Sequence, residues 1–179
     1  MNGGVCTDPA DAEARRCLEE GTVKLEEGAV EAAKELYHRS IEIKRTASAL
    51  FNLGVTHYHL QEYEQAISAW KESIALQPSS ADAHTNLASA YIISPIPRAD
   101  LALHHLRIAS SISPEDPEIA YNLAAVLEAT GQLEEALIHY QRSKENGVEK
   151  AALNIRNVSA KILGQRMKAA EQSGEPDGS

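Results

Sequence analysis

The stretch NLGVTHYHLQEYEQAISAWKESIALQP, residues 52–78, decides the fold because its features return along the chain. Asn52 has counterparts in Asn86 and Asn122, at intervals of 34 and 36 residues. A second pattern repeats an alanine, a large apolar residue four places later and a small residue three places after that. Its members are Ala33, Ala66, Ala102 and Ala136, then Tyr37, Trp70, Leu106 and Tyr140, then Ser40, Ser73, Ala109 and Ser143. This alternation predicts a helix that inserts a bulky side chain between two points at which it lies close to a neighbouring helix.

Each unit of this pattern predicts two antiparallel helices. The first helix carries a small residue where a larger side chain would push its neighbour away, at Gly21, Gly54, Ala88 and Ala124. Turns inside the units are predicted at 27–28, 60–62, 94–97 and 130–132. Between units, Pro78 and Pro114 stop second helices, and Ser80 and Asp116 are predicted N-caps of the helices that follow.

Residues 52–78 resemble a tetratricopeptide repeat (TPR), and the family's pattern of small and large positions covers about residues 14–147 as four units. The resemblance implies an all-α fold, a right-handed superhelical solenoid of antiparallel helix pairs. The four repeats are expected at about 9–46, 47–80, 81–116 and 117–147. The first repeat departs from the pattern at Glu20, where the others have leucine. The third has two extra residues in its internal turn.

Residues 148–172 are expected to form a capping helix after the last repeat. Its apolar stripe would contain Ala151, Ile155, Val158 and Ile162, and its other side would hold Lys150, Asn154, Lys161, Gln165 and Lys168. Residues 149–171 carry a net charge of +3, which suits either a solvated helix face or a second contact surface for an acidic segment. A flexible arm is expected at 1–8 and a disordered tail at 173–179.

Composition narrows the function classes. The 179 residues are 43% hydrophobic and 24% charged, which is typical of a globular protein. The net charge of −9 disfavours nucleic-acid binding, because an acidic surface repels phosphates. No apolar run is long enough to span a membrane, and the two cysteines, Cys6 and Cys17, are expected to be reduced. These features predict a soluble, cytoplasmic protein.

Catalytic and cofactor-binding signatures are missing from the sequence. It contains no GxxxxGK[ST], GxGxxG or HExxH motif. The pairs His57/His59 and His104/His105 point to different helix faces and have no further ligand at metal-binding spacing, so a structural or solvated role is expected. We therefore expect no enzyme activity, no cofactor and no metal.

The TPR resemblance places a binding groove along the first helices of the repeats. The residues that match its positions, and that we predict as the peptide-binding site, are Phe51, Asn52, Val55, Tyr58, His59, Asp82, Asn86, Ser89, Ile92, Glu118, Tyr121 and Asn122. Asn52, Asn86 and Asn122 could form a row of carboxamides that grips an extended backbone, or could each steady its own helix pair. Apolar anchors for a ligand would come from Phe51, Val55, Tyr58, Ile92 and Tyr121, or Phe51 and Tyr58 could simply pack against neighbouring helices.

Charge at these positions predicts the ligand. Asp82, Glu118, Glu128 and Glu19 outweigh Arg15, so a neutral or basic segment is expected. The family's clamp for C-terminal carboxylates of chaperone tails is disfavoured, because acidic Asp82 or Glu118 stands where that clamp has a basic residue.

Together these observations predict a non-catalytic adaptor that binds a peptide or helix of another protein in its groove, within an oligomer or larger complex. The alternative is a structural subunit that assembles through its end caps or convex face.

Overall fold

A computed structural model describes residues 8–173, and every regular element in that range is an α-helix. The helices are α1 (Pro9–Glu26), α2 (Val30–Ile43), α3 (Ala47–His59), α4 (Tyr63–Leu76), α5 (Ala81–Ile93), α6 (Ala99–Ile112), α7 (Pro117–Ala129), α8 (Leu133–Glu145) and α9 (Ala151–Ser173). The predicted all-α fold class is confirmed. None of these helices is long and apolar enough to cross a membrane.

The chain forms two compact units that divide between Arg98 and Ala99. Unit 1 contains α1 to α5, in which α1 packs on α2, α3 on α4, and α5 on α4. Unit 2 contains α6 to α9, in which α7 packs on α8, with α6 against α7 and α9 against α8. The division falls at the end of the internal turn of the third predicted repeat.

The chain ends differ slightly from the predicted boundaries. Residues 1–7 and 174–179, which make up most of the predicted arm and tail, lie outside the described residues. Asp8 was expected in the arm, but its carboxylate accepts a hydrogen bond from the Ala10 N–H at 3.0 Å and caps α1. Ser173 was expected in the tail, but it is the last residue of α9.

Polar side chains start the first helices of the repeats. The Ser80 hydroxyl accepts from the Ala83 N–H at 3.2 Å, and the Asp116 carboxylate accepts from the N–H groups of Glu118 and Ile119 at 2.9 and 3.0 Å. These two predicted N-caps are confirmed. Thr46, which the sequence analysis did not single out, caps α3 in the same way. Each cap satisfies a backbone donor that the helix itself leaves free.

The short turns inside the repeats pass through the left-handed backbone region. Gly28 has φ +79° and Gly131 has φ +80°, values that glycine adopts without steric cost. The corresponding turn between α3 and α4 places Gln61 at φ 61°, where a Cβ atom is unfavourable. The predicted turns are confirmed, and the α3–α4 turn is the strained one.

Bulky side chains of second helices fill the space left by small residues of first helices, as predicted. A Cβ atom on Gly21 would lie 2.7 Å from the Tyr37 ring, and one on Gly54 would lie 2.5 Å from Nε1 of Trp70. Both aromatic rings are fully buried. Glycine at these two positions is therefore a requirement of packing.

A serine of the second helix fastens each of three helix pairs. The hydroxyl of Ser40 donates to the Ala14 carbonyl at 2.8 Å, that of Ser73 to the Ala47 carbonyl at 2.8 Å, and that of Ser143 to the Pro117 carbonyl at 2.7 Å. In each pair the serine bonds a carbonyl in the first half of the first helix, and in two of them the preceding aromatic residue meets a glycine seven residues further along that helix, Gly21 or Gly54. The paired helices are therefore antiparallel. The sequence predicted small residues here but not their hydrogen bonds.

The last helix packs on α8 through part of its length. Ala151, Val158 and Ile162 are buried and Ile155 is half-buried, which confirms the predicted apolar stripe. From residue 163 to 173 every side chain is exposed. The C-terminal half of α9 thus extends beyond its packing partner.

Candidate functional site

A pocket of about 290 Å³ in unit 1 brings together several of the predicted site residues. Its walls come from α3 (Val55, Tyr58 and His59) and α5 (Asn86 and Ser89), and Trp70 of α4 forms its base. The repeat places all five wall residues on the outward face of first helices, since the opposite face packs on the second helix. The result is an apolar recess with one carboxamide at its side.

Tyr58 both lines this pocket and packs within unit 1. Its ring lies 5.6 Å from that of Tyr63 and 5.9 Å from that of Trp70, measured between ring centroids. Burial raises the pKa of its hydroxyl, so Tyr58 is neutral at physiological pH. The two interpretations of this residue, ligand anchor and packing residue, are therefore compatible.

A second pocket, of about 220 Å³, lies towards the start of α3 and α5. Phe51 and Asn52 contribute from α3, and Ser80 and Asp82 from α5 and its cap. The Phe51 carbonyl accepts a hydrogen bond from Nε1 of Trp70 at 3.0 Å, which fixes this wall against α4. Asp82 is exposed, and Ile92 further along α5 is 38% exposed.

The asparagines of the repeat are not equivalent. Tyr37 of α2 is buried, and burial raises the pKa of its hydroxyl, while the neighbouring Thr22 and Asn52 side chains oppose that shift. The hydroxyl donates to Thr22 at 3.3 Å, so Asn52 is a polar neighbour of a group that already has a partner. In the next repeat the position of Tyr37 is taken by Trp70, which donates its N–H to the Phe51 carbonyl and not to Asn86. In unit 2 the same position, in the helix before Asn122, is taken by Leu106, and leucine has no polar group to bind.

The capping helix supplies a fourth asparagine in the same register. Asn154 lies 32 residues after Asn122, and its amide donates to the Tyr140 hydroxyl at 3.2 Å. Its carbonyl oxygen accepts from the Tyr121 hydroxyl at 3.2 Å. The sequence placed Asn154 on the solvated side of α9, and the structure corrects this, because the helix turns that side towards α7 and α8. The signal in the sequence is Tyr140, a tyrosine in the second helix that directly precedes this asparagine.

In unit 2, two of the predicted site residues are contacted by α9 or by Lys150, the residue just before it. Lys150 lies 3.2 Å from the Glu118 carboxylate and 4.3 Å from the centre of the Tyr121 ring. Together with the Asn154 hydrogen bond, this gives both residues partners within the chain. They remain exposed or half-buried, but a ligand would have to share them with α9.

The acidic charge of unit 2 is also partly neutralised. Glu128 accepts from Lys161 at 2.6 Å and from the Tyr140 hydroxyl at 2.9 Å. Burial alone would raise the pKa of Glu128, but these hydrogen bonds outweigh it and lower the pKa. The predicted ligand charge took Glu118 and Glu128 as free, and the structure corrects this, because Glu118 is paired with Lys150 just before α9 and Glu128 with Lys161 of α9.

Histidine, cysteine and acidic side chains are the possible ligands of a metal. Among residues 8–173, no group of three or more His, Cys, Asp or Glu side chains is arranged to hold an ion. His57 is buried, and its Nδ1 lies 2.6 Å from the Glu62 carboxylate, which also contacts Lys34 at 3.4 Å. The hydrogen bond with His57 is the main cause that lowers the pKa of Glu62. Cys17 is a buried free thiol.

Two family models match the chain. One, described as TPR repeat, matches residues 57–92, and the other, described as Tetratricopeptide repeat, matches residues 98–147. The first match spans the junction between the second and third predicted repeats. The other covers the second helix of the third repeat and the whole of the fourth.

Two curated proteins share part of the sequence. The TPR repeat-containing protein MJ1428 of Methanocaldococcus jannaschii is 32% identical over 129 residues, which is 69% of this chain and 22% of that protein. The human protein O-mannosyl-transferase TMTC1 is 33% identical over 61 residues, 34% of this chain and 7% of that protein. The chain thus spans a small part of both relatives.

Solved structures share the fold. MamA from Desulfovibrio magneticus RS-1 matches with a TM-score of 0.77 at 18% identity, covering 90% of this chain and 92% of that one. YrrB, described as a TPR protein with an unusual peptide-binding site, matches with a TM-score of 0.73 at 19% identity, covering 82% and 76% of the two chains. At these identities the likeness is one of fold.

Proposed function

The chain belongs to the tetratricopeptide repeat family, and we propose that it is a non-catalytic adaptor that binds a neutral or basic segment of another protein. The binding site in this proposal is the outward face of α3 and α5 in unit 1. The observation that carries it is the pocket of about 290 Å³ between Tyr58, His59 and Asn86. YrrB, a protein of the same fold, is described as having a peptide-binding site, which supports this assignment.

The chemistry of the pocket suits a peptide. A carboxamide offers a donor and an acceptor, so Asn86 can bind a backbone C=O and N–H without regard to the side chain. Val55 and the ring of Tyr58 would cover an apolar side chain of the same segment, and aromatic groups of this kind supply much of the free energy of peptide binding. Asn86 is preferred over Asn52 as the ligand contact because Asn52 already interacts with Tyr37.

Charge sets the preference for the ligand. Asp82 is exposed beside the second pocket and would repel a carboxylate. A third pocket contains two basic residues, Lys44 and Arg15, which could attract a carboxylate. Lys44, however, is already paired with Asp11 at 2.7 Å. We propose that segments without net negative charge bind at this face and that C-terminal carboxylate tails do not.

The proposal can be tested with alanine variants at two asparagines. Extended peptides bearing lysine, each paired with a glutamate counterpart, would be titrated into the full chain by calorimetry. Asn86→Ala is expected to weaken binding of the lysine peptides by about fivefold, the effect of losing about 1 kcal/mol of hydrogen bonding, and to leave the melting temperature unchanged.

Asn52→Ala is the matched control. It removes a polar neighbour of the buried Tyr37 hydroxyl, so it is expected to lower the melting temperature and to change peptide affinity less than Asn86→Ala does. A preference for the glutamate peptides, or binding that Asn86→Ala leaves intact, would contradict the proposal.

A further inference from the structure

The outer side of α9 carries a second apolar stripe, separate from the one that packs on α8. Leu153 is 62% exposed, Leu163 is 60% exposed and Met167 is 57% exposed. With Arg156, Ala160 and Ala170 they recur at alternating intervals of three and four residues. This is the spacing of the contact seam of a helix that pairs with another helix.

The C-terminal half of α9 has no packing partner among the described residues. The last buried side chain is Ile162, and Arg166 stands opposite Glu134, in the first turn of α8, at 4.0 Å. Residues 163–173 therefore continue for about three turns with both faces exposed. An isolated helix of that length is marginal in water, so its stability would increase on pairing with a second helix.

The free charges of α9 are mainly basic. Lys150 and Lys161 are paired with glutamates of α7, whereas Arg156, Lys168 and the acidic Glu171 have no ion-pair partner within residues 8–173. Arg166 is largely exposed and only 4.0 Å from its glutamate. A basic face on a chain with a net charge of −9 favours an acidic partner and opposes pairing of two α9 helices, in which like charges would meet.

The other terminal helix lacks such a seam. Glu20 of α1 is exposed at the repeat position that Leu53 occupies in α3, so that end of the repeat series carries a charge in place of a leucine. A polar outer face is what a terminal repeat needs for solubility. The exposed leucines and methionine of α9 are therefore not a general property of the chain's ends.

We propose that the outer face of α9 is a docking surface for an acidic amphipathic helix of a partner protein, with Leu153, Leu163 and Met167 as its apolar contacts, Arg156 within the same stripe and Lys168 at its edge, next to Met167. It shares no residue with the α3–α5 pocket. Its small apolar area is typical of a weak, transient contact, on the order of 10 µM in dissociation constant.

The test uses a labelled three-heptad peptide with leucine at the seam positions and glutamate beside them, and a counterpart with lysine in place of glutamate. Fluorescence anisotropy with the full chain is expected to show at least about tenfold tighter binding of the glutamate peptide. Leu163→Ser/Met167→Ser should abolish that binding. Ile138→Ser, which removes a side chain of α8 that is 57% exposed, is the matched control and should leave it intact.

Charge reversal provides a second variant that leaves the apolar side chains of the seam unchanged. Arg156→Glu/Lys168→Glu should switch the preference to the lysine peptide. Asn86→Ala should not affect either peptide, which separates this surface from the proposed groove. Equal binding of the two peptides, or binding retained by Leu163→Ser/Met167→Ser, would overturn the proposal.

Two other occupants would also overturn it. One is a second copy of the chain, revealed by concentration-dependent association in sedimentation that Leu163→Ser/Met167→Ser abolishes. The other is a lipid surface, revealed by co-flotation with vesicles of phosphatidylcholine and phosphatidylserine that the same variant abolishes.

Discussion

The missing side chain of Gly54 lies directly against the indole of Trp70: a Cβ atom there would be 2.5 Å from Nε1 and 2.7 Å from Cδ1. Trp70 cannot retreat easily, because it is buried and its N–H donates to the Phe51 carbonyl at 3.0 Å. The same indole forms the base of the candidate binding pocket. Packing within the α3–α4 pair and the shape of the site therefore depend on one contact.

Gly54→Ala is expected to lower the free energy of unfolding by about 1–2 kcal/mol, since the strain of overpacking exceeds the gain in helix propensity. Urea denaturation would measure it. Gly164→Ala is the control, because a Cβ atom there meets nothing within 4 Å. That change should raise the free energy of unfolding by about 0.5–1 kcal/mol. Equal effects at the two glycines would refute the packing argument.

Ser73→Ala is expected to cost about 1–2 kcal/mol of unfolding free energy, because it removes the buried hydrogen bond to the Ala47 carbonyl. Ser111→Ala serves for comparison, since its hydroxyl bonds a carbonyl at an exposed position of α6. Chemical denaturation of both variants would check the expectation. A loss at Ser73 no greater than at Ser111 would mean that the hydroxyl does not fasten the helix pair.

Gln61→Gly is expected to stabilise the chain by about 1 kcal/mol, because residue 61 has φ 61° and glycine carries no Cβ penalty there. The corresponding turns already contain Gly28 and Gly131. The measurement is the urea midpoint, with Gln65→Gly inside α4 as a control that should destabilise. A destabilising result at position 61 would contradict the assignment of strain to this turn.

The contact of Glu62 with His57 and Lys34 should make stability depend on acid pH. These partners hold the pKa of Glu62 below its ordinary value of 4.5, so their contribution is present above that pH and is lost as the pH falls through the folded-state pKa. The dependence of unfolding free energy on pH should be shallower in Glu62→Gln as the pH falls below the ordinary carboxyl pKa of 4.5. Glu35→Gln, on the exposed side of α2, should retain the wild-type slope.

The sequence predicted much of this fold because small and large side chains recur at fixed positions of the repeat. Gly54 and Trp70 show their complementarity in the register alone, and Ser80 and Asp116 mark helix starts by local chemistry. The contacts of α9 could not be predicted in that way. Whether Asn154 faces solvent or Tyr140 depends on how α9 is rotated against α7 and α8, which is a tertiary property.

In the candidate site too, the repeat register predicted the positions within helices but not the contacts between distant elements. The register placed Val55, Tyr58 and Asn86 on first-helix faces, and the structure puts them around one pocket. It could not reveal that Lys150 and Lys161 reach Glu118 and Glu128, because those pairs are separated by 32 and 33 residues and join different elements. The charge of the unit 2 face is consequently less negative than the sequence implied.

The most direct test of the proposed adaptor function is the side-chain amide resonance of Asn86 in a ¹⁵N-labelled sample titrated with a lysine-bearing extended peptide. We expect this resonance and the backbone amide of Ser89 to shift on binding, because both residues line the α3–α5 pocket. The side-chain amide of Gln65, which lines a separate pocket with His38 and His57, should stay in place. Shifts confined to Gln65 and its neighbours, with Asn86 unchanged, would contradict peptide binding at this face.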